Sequence, residues 1–359
     1  MDIKTLLKNA HFTFQKTGKS LHSQFYELIW LRLGLSKLGA DDYYLYKLYD
    51  DSLYSFKDKT QFIGWRTSMK IDKALNHDES RVFANDKLEF SMKMSNAGLR
   101  TPKILAVFNE DNIPISSVNQ LSTTDEASTF LRMKNIYPVF IKPVHGTYGR
   151  GGFSAITVCT SNSTLKIGDG SQRSISEVID QFKQKWAKGY IIQELLTPHS
   201  EVVSLIGQRL SSLRVIVILT HGKPHIFRAV WKLTAGRNMS DNFMHGKLGN
   251  LIANVNPENG NVTNVTGMRD GKMVPMNTHP DTGANLTGIS VPLWTDVVEY
   301  CKQSSSLFPG LKMQHWDIAI CPEGPIALEV NVEGSVDLHQ LASRKGIYDE
   351  YLQNVMRQT

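Results

Sequence analysis

Cysteine is scarce: Cys159, Cys301 and Cys321 are the only thiols in 359 residues, odd in number and without C-x-x-C spacing. That excludes a disulfide framework and a cysteine-held zinc site, and predicts reduced, mostly buried thiols in a cytoplasmic protein. Long apolar runs are missing as well. Val215 to Leu219 is one of the longest and covers only five residues, so no membrane span is expected. Met1 to Gln15 lacks an apolar h-region, so no secretory signal is expected, and the N-x-S/T sequons at Asn162, Asn238, Asn261, Asn264 and Asn285 then carry no meaning. There is no Lys/Arg run, no repeat period and no low-complexity tract. The net charge of +6 is dispersed, which argues against nucleic acid and suits small acidic ligands such as nucleotides, phosphates or anionic sugars. Two familiar phosphate motifs are also lacking. No Gly-Lys-Ser/Thr closes a glycine loop, and the G-x-G-x-x-G spacing is absent.

What the chain does have is Val139-Phe140-Ile141-Lys142-Pro143, followed by Gly146-Thr147-Tyr148-Gly149-Arg150-Gly151-Gly152 and a second apolar run from Phe153 to Cys159. A strand delivers a lysine, flexible backbone folds back, and a strand returns. Glycines let several N–H groups turn toward one anion, and the lysine adds a point charge. An ordinary turn is the competing reading. Around this stretch, residues 1–80 read as helical. Phe25, Leu28, Ile29, Leu31 and Leu35 recur at helical spacing, and Tyr43, Tyr44, Tyr46, Tyr49 and Tyr54 crowd a second helix expected to pack as core. Asn85-Asp86-Lys87 opens a helix that ends at Gly98, and Thr101-Pro102 leads into a strand at 103–108. Ser174 to Glu177 forms a capping box before a stripe of Ile175, Val178, Ile179, Phe182 and Trp186. Tyr190 to Leu195 follows as a strand, so 137–196 reads β-β-α-β. Residues 212–219 and 225–232 read as a hairpin, with Arg214 an odd charge inside it.

The far end is acidic. Glu329 and Asn331 are two apart in an apolar strand and share a face. The four-residue turn Cys321-Pro322-Glu323-Gly324 pairs 313–320 with this strand and sets Asp317 opposite Leu328 or Glu329; sharing a face requires Glu329. Two carboxylates side by side repel in an apolar setting, which a divalent cation relieves. The ligands are all oxygen, so Mg²⁺ or Mn²⁺ fits and zinc does not. A solvated hairpin is the alternative. Together with Lys142 and the glycine loop, this composes an ATP site spread over two lobes, with Gln193, Glu194, Leu195 and Leu196 between them where backbone groups reach an adenine edge.

On these residues the chain resembles the ATP-grasp superfamily, and more narrowly the sugar-transfer-associated ATP-grasp family, related to teichuronopeptide-type synthesis proteins. Asp86-Lys87 with Gly98 to Pro102, Phe140 to Pro143 with the glycine loop, Gln193-Glu194-Leu195 with His199, Leu213-Arg214-Val215 and Asp241-Asn242 carry the likeness. His279-Pro280, Pro292-Leu293-Trp294, Trp316 to Ala319, Gly324 to Asn331 and Gln340 extend it, from about residue 30 to 345. The resemblance implies an α+β, ATP-grasp fold of two lobes clasping ATP. Its divisions are a helical region at 1–80, a lead-in at 81–136, a small lobe at 137–196, a large lobe at 197–333 and C-terminal helices at 334–359. It implies that Lys87 and Lys142 contact ATP phosphates, and that Gly146, Thr147, Gly149, Arg150, Gly151 and Gly152 cover them. Gln193 to Leu196 hold adenine, Glu201 reaches ribose, Arg214 faces the γ-phosphate, and Asp317, Glu329 and Asn331 hold Mg²⁺. It further implies an ATP-dependent ligase joining an amino acid or other amine to a carboxylated sugar or glycan; a kinase on the same scaffold and a non-catalytic nucleotide-binding module are the alternatives. Lys232, where the family has arginine, and Gly249-Asn250, where it has Gly-Gly, depart from the pattern and are expected on the acceptor side with Asp241 and Asn242.

Overall fold

The computed structural model describes residues 2–109, 118–146, 149–269, 272–334 and 336–358. Two seven-stranded sheets organise it. The first contains β1 (Ile104–Phe108), β2 (Asn119–Leu121), β3 (Val139–Pro143), β4 (Phe153–Cys159), β5 (Thr164–Ile167), β6 (Gln172–Ser174) and β7 (Tyr190–Glu194), in the order β2-β1-β7-β3-β4-β5-β6. The lead-in strand β1 therefore pairs directly with β7 and extends the sheet that carries Lys142. The capping box at Ser174 forms, with the Ser174 hydroxyl accepting from Glu177 N–H and the Glu177 carboxylate accepting from Ser174 N–H. The helix behind it ends at Phe182, so Trp186 does not belong to its apolar stripe but sits in a short turn beyond.

The second sheet contains β8 (Ser212–Thr220), β9 (Lys223–Leu233), β10 (Leu251–Val255), β11 (Val262–Arg269), β12 (Lys272–Pro275), β13 (Met313–Cys321) and β14 (Gly324–Asn331). Its order is β12-β11-β10-β9-β8-β13-β14, antiparallel throughout. The apolar residues of these strands alternate between two cores, as the two-residue period requires. Leu213, Val215, Trp231, Trp316 and Ile318 pack under Val297 and Cys301 of the helix Trp294–Ser306 and under Phe90 and Met94 of the helix Lys87–Asn96. On the other face Val230 and Ile252 meet Tyr43, Tyr46, Tyr49, Tyr54 and Phe62, so the tyrosine-rich segment is core. Of Tyr43, Tyr44, Tyr46, Tyr49 and Tyr54, only Tyr43 and Tyr44 lie in the helix Ala40–Leu45.

The helices Ile3–Thr17 and Leu21–Leu33 form, but of Phe25, Leu28, Ile29, Leu31 and Leu35 only Leu31 is buried. The helical spacing is there, and mostly polar groups occupy the inward side.

Candidate functional site

The register of the β13–β14 hairpin sets Asp317 opposite Glu329, and a bulge at Leu328 makes that possible by skipping one residue before Ile318 meets Ala327. Arg214 on β8 lies opposite Asp317 on its other side. Lys232 on β9 is two residues from Val230, the partner of Arg214, and so shares that face. Four neighbouring strands thus each present one charged side chain to one spot, in the order Lys232, Arg214, Asp317, Glu329.

The bonds follow this order. Arg214 Nε and Nη2 donate to Asp317 Oδ1 and Oδ2 at 2.6 and 2.8 Å, a bidentate fork. Lys232 Nζ lies 3.3 Å from Asp317 Oδ1 and 3.3 Å from Asp241 Oδ1. Asp241 Oδ2 in turn accepts from the Ser212 N–H at 2.9 Å and from its hydroxyl. Burial would push the Asp317 carboxyl up, but Arg214 and then Lys232 outweigh it and hold it well below the usual carboxylate range. Burial likewise opposes the Arg214 charge, and Asp317 restores it.

This corrects the reasoning from repulsion: two cations already neutralise Asp317, so the cluster does not demand a metal. The donors still suit one. Glu329 is held only loosely, accepting from Asn331 Nδ2 at 3.3 Å, and it and Asn331 share a face with hard oxygens. Mg²⁺ would rest on Glu329 and Asn331, with Asp317 contributing only if one of its cations moves. Among the described residues no group of three or more His, Cys, Asp and Glu side chains is arranged to hold a metal by itself.

Lys142 stands on β3 across a small cleft lined also by Lys87, Ser91, Thr101, Gln193 and Leu328. The first sheet, the Lys87–Asn96 helix and the bulge of the second sheet therefore meet at one place. Burial pushes the Lys142 ammonium down, Glu329 pulls it partly back and Lys87 lowers it further, leaving it at about 8. Lys87 Nζ donates to the Gly146 carbonyl at 2.9 Å, at the entry of the glycine loop. Thr147 lies outside the described residues. Gly149 has φ +69°, and a Cβ there would stand 3.0 Å from Asn242 Nδ2, so the loop reaches the Asp241-Asn242 segment of the second sheet's side. Gly151 has φ +76° and would meet Tyr190 Oη and Trp186 within 3.2 Å. Gln181 Nε2 donates to the Gly151 carbonyl at 2.7 Å, and the Arg150 guanidinium lies 4.8 Å from the Trp186 ring centre. Gly152 packs beside Phe140. Trp186, Tyr190 and Gln181 are loop supports that the sequence reading missed; an aromatic just past a helix end was the available signal.

Between the lobes, Gln193 is buried and its backbone pairs across to Phe140. Glu194 is occupied locally: its carboxylate accepts from Lys103 N–H at 2.8 Å. Leu195 N–H donates to Pro138 O at 3.4 Å, and Leu196 packs near Ala319 and Ile326. Glu201 is exposed in the first turn of the helix Ser200–Ile206, capped by His199 Nδ1.

The two departures from the family pattern are not surface features. Lys232 is 4 % exposed and bound to two carboxylates. Asn250 is fully buried; its amide donates to Ser240 O and Asn242 O at 2.7 and 2.8 Å, and its oxygen accepts from Ala235 N–H and Asn238 Nδ2 at 3.0 and 2.9 Å. All four valences of the side chain are used. It staples the segment that faces the glycine loop.

The family model for sugar-transfer associated ATP-grasp proteins matches residues 66–357, most of the chain. The chain belongs to the sugar-transfer associated ATP-grasp family. No curated protein matches it. Among solved ATP-grasp structures it is similar to an L-amino acid ligase from Bacillus licheniformis, at 11 % identity over 77 % of this chain and 49 % of that one, with a TM-score of 0.40. It is similar to N5-carboxyaminoimidazole synthase from Aspergillus clavatus, solved with ADP and 5-aminoimidazole ribonucleotide, at 10 % identity over 76 % and 50 %, TM-score 0.40. It is also similar to D-alanine–D-alanine ligase from Bacillus anthracis, at 12 % identity over 82 % and 74 %, TM-score 0.44. The chain thus spans about half the length of the first two. Among the described residues, no helix of this ATP-grasp protein is long and apolar enough to cross a membrane.

Proposed function

We propose that this chain is an ATP-dependent carboxylate–amine ligase acting on a carboxylated sugar or glycan and an amino acid or similar amine. The observation that carries the reading is the facing pair Lys142 and Glu329. A half-buried lysine on one sheet interacts electrostatically with a carboxylate on the other, at a cleft lined by Lys142, by Leu328 next to Glu329 and by Lys87, which holds the entry of the glycine loop. A triphosphate lying there meets Lys142 and Lys87, and the N–H groups of the loop from Gly149 to Gly152 close over it. Gln193 and the backbone through Leu196 border the adenine, and Glu201 the ribose.

In this reading a carboxylate oxygen attacks the γ-phosphorus, the bond to the β–γ bridging oxygen breaks, and ADP leaves an acyl phosphate. The amine nitrogen then attacks the acyl carbon, loses a proton, and phosphate departs. Bound Mg²⁺ would neutralise phosphate charge beside Glu329 and Asn331. The protein's own part is positioning and charge. The fork to Asp317 engages Nε and Nη2 of Arg214 and leaves Nη1 for a phosphoryl oxygen. Asp317 and Lys232 keep that guanidinium oriented, and the loop excludes water that would hydrolyse the acyl phosphate.

The test is ADP release with hydroxylamine present, across a panel of amino acids and uronic acids. Formation of a hydroxamate together with ADP supports the ligase and names the acid. ADP with a phosphorylated hydroxyl acceptor would replace it with a kinase. Nucleotide binding with no turnover on any acceptor, and full cellular function in Glu329→Gln, would replace it with a non-catalytic module.

A further inference from the structure

The helix Leu21–Leu33 is folded inside out. Leu21, Phe25, Ile29 and Leu33 follow one another at i, i+4, i+8 and i+12, with Tyr26 and Trp30 alongside, and all six are exposed, Trp30 at 68 % and Leu33 at 72 %. The inward side is mostly polar, with Leu31 buried and Leu28 half-buried beside the polar groups. Gln24 is 1 % exposed and donates to Ala10 O and Lys19 O. Glu27 accepts from Lys19, Lys59 and Tyr43 at 2.6 to 2.9 Å. A helix on a globular surface normally turns its apolar stripe inward. Here the polar stripe is fully bonded inside, so the apolar face is the outer surface of a well-packed element. Exposed Leu35 and Trp65 adjoin it, since Thr67 Oγ1 donates to Leu35 O and Gly64 N–H to Ser36 O.

The exposed charges of the two helices are mostly basic. Lys4, Lys8, Lys16 and Arg32 are exposed on the two N-terminal helices, Lys37 follows, and Glu27 is turned inward, leaving Asp2 as the outward acid of the hairpin. Tryptophan and tyrosine on an apolar face flanked by lysine and arginine match the interface of an anionic bilayer, where the rings lie at headgroup depth and the cations meet phosphates. A second copy is the poorer occupant. An isologous dimer through this face would set Arg32 and its neighbours against their own images.

We infer that the exposed face of Leu21–Leu33, with its basic surround, docks the protein on an anionic phospholipid surface. The hairpin lies outside residues 66–357 and none of its residues lines the cleft at Lys142, so the inference stands apart from the ligase reading.

The experiment is flotation of the full chain with vesicles of phosphatidylcholine alone and with equal parts phosphatidylglycerol. The chain is expected to float with the anionic vesicles and to be released by salt. Each basic side chain neutralised, as in Lys4→Gln and Lys8→Gln, is expected to weaken partitioning about fivefold. Trp30→Ser with Leu33→Ser is expected to abolish flotation while leaving ADP affinity and melting temperature unchanged, which separates lost docking from lost folding. Failure to float with anionic vesicles overturns the inference, as does equal flotation with neutral ones or an unaffected Trp30/Leu33 variant. A wild-type dimer in sedimentation, dissolved by that variant with no vesicle binding, would assign the face to a second copy instead.

Discussion

Lys142 is poised so that pH reads out its role. Burial and Lys87 bring its ammonium to about 8, against an ordinary value of 10.5, while Glu329 resists the shift. In the nucleotide-free protein the charged form is then about 76 % populated at pH 7.5 and about 3 % at pH 9.5. A phosphate anion binds the charged form and raises its affinity for the proton, so nucleotide affinity is lost as pH rises through 8. The two populations give a loss of about 25-fold between those pH values, or about 1.9 kcal/mol. Calorimetric titration of ADP at fixed Mg²⁺ from pH 7.5 to 9.5 measures it, in a range where the nucleotide phosphates stay ionised. Lys142→Arg keeps its charge throughout and is expected to flatten the profile whatever its absolute affinity. Glu329→Gln removes the anion that supports the ammonium, so its profile should break at lower pH than wild type. Equal slopes in wild type and Lys142→Arg would show that Lys142 does not meet the phosphates and would remove the central support for the proposed nucleotide site.

Asp317→Asn leaves Arg214 and Lys232 buried without their shared anion; a loss of about 3–5 kcal/mol is expected in urea unfolding, and pairing it with Arg214→Met should recover part of that. Asn250→Gly removes four hydrogen bonds and strands the Ala235 N–H and the Ser240 and Asn242 carbonyls; amide exchange should rise selectively across 235–242, and nucleotide affinity should fall because that segment faces the glycine loop. Acid should destabilise the fold before its carboxylates titrate. Burial holds His315 at about 3 and His339 well below its ordinary value, and His315 Nδ1 and both nitrogens of His339 have no hydrogen-bond partner among the described residues. Below about 6.5 the unfolded chain takes up protons that the fold refuses, so stability falls with falling pH, by about 2.5 kcal/mol for the pair between pH 7 and 5.5. Urea midpoints at the two pH values check this, and His339→Gln should remove about half of the dependence.

Local chemistry was the legible part of the sequence. The capping box at Ser174, the Asp86 cap, the hairpin at 212–232 and the Asp317–Glu329 register all follow from spacing within a few residues or across one short turn. The lysine strand and glycine loop were legible for the same reason. What spacing could not convey was the order of strands in the second sheet. That order brings Lys232 beside Asp317, although 85 positions separate them in the chain. Hence Asp317 read as a carboxylate in need of a metal, when Arg214 and Lys232 already meet it. The buried side of the N-terminal helices was not legible for a related reason. Periodicity locates a stripe but not the side on which the core lies, and there the buried ions of Lys19, Lys59 and Glu27 took the inward side.

The charged row also explains why lysine stands at position 232. Both oxygens of Asp317 are already engaged by the Arg214 fork. A second guanidinium would need its own coplanar pair of acceptors to bind as a fork, and Asp241 has one oxygen committed to Ser212. An ammonium is a point charge with donors it can turn, so it can sit 3.3 Å from each of two carboxylates without displacing either set of bonds. Asp317 and Asp241 then balance Arg214 and Lys232, and Glu329 is left facing Lys142. A triphosphate entering the cleft brings several negative charges to the one carboxylate that has no fork of its own. In the proposed site the cations able to answer it are Lys142, Lys87, the Nη1 of Arg214 that the fork leaves and whatever metal accompanies the nucleotide, because Lys232 is held between two acids. The buried ion pairs therefore fix Arg214 in place, while Lys142, which feels Glu329 across the two sheets, is in the proposed site the group whose protonation a bound phosphate would change.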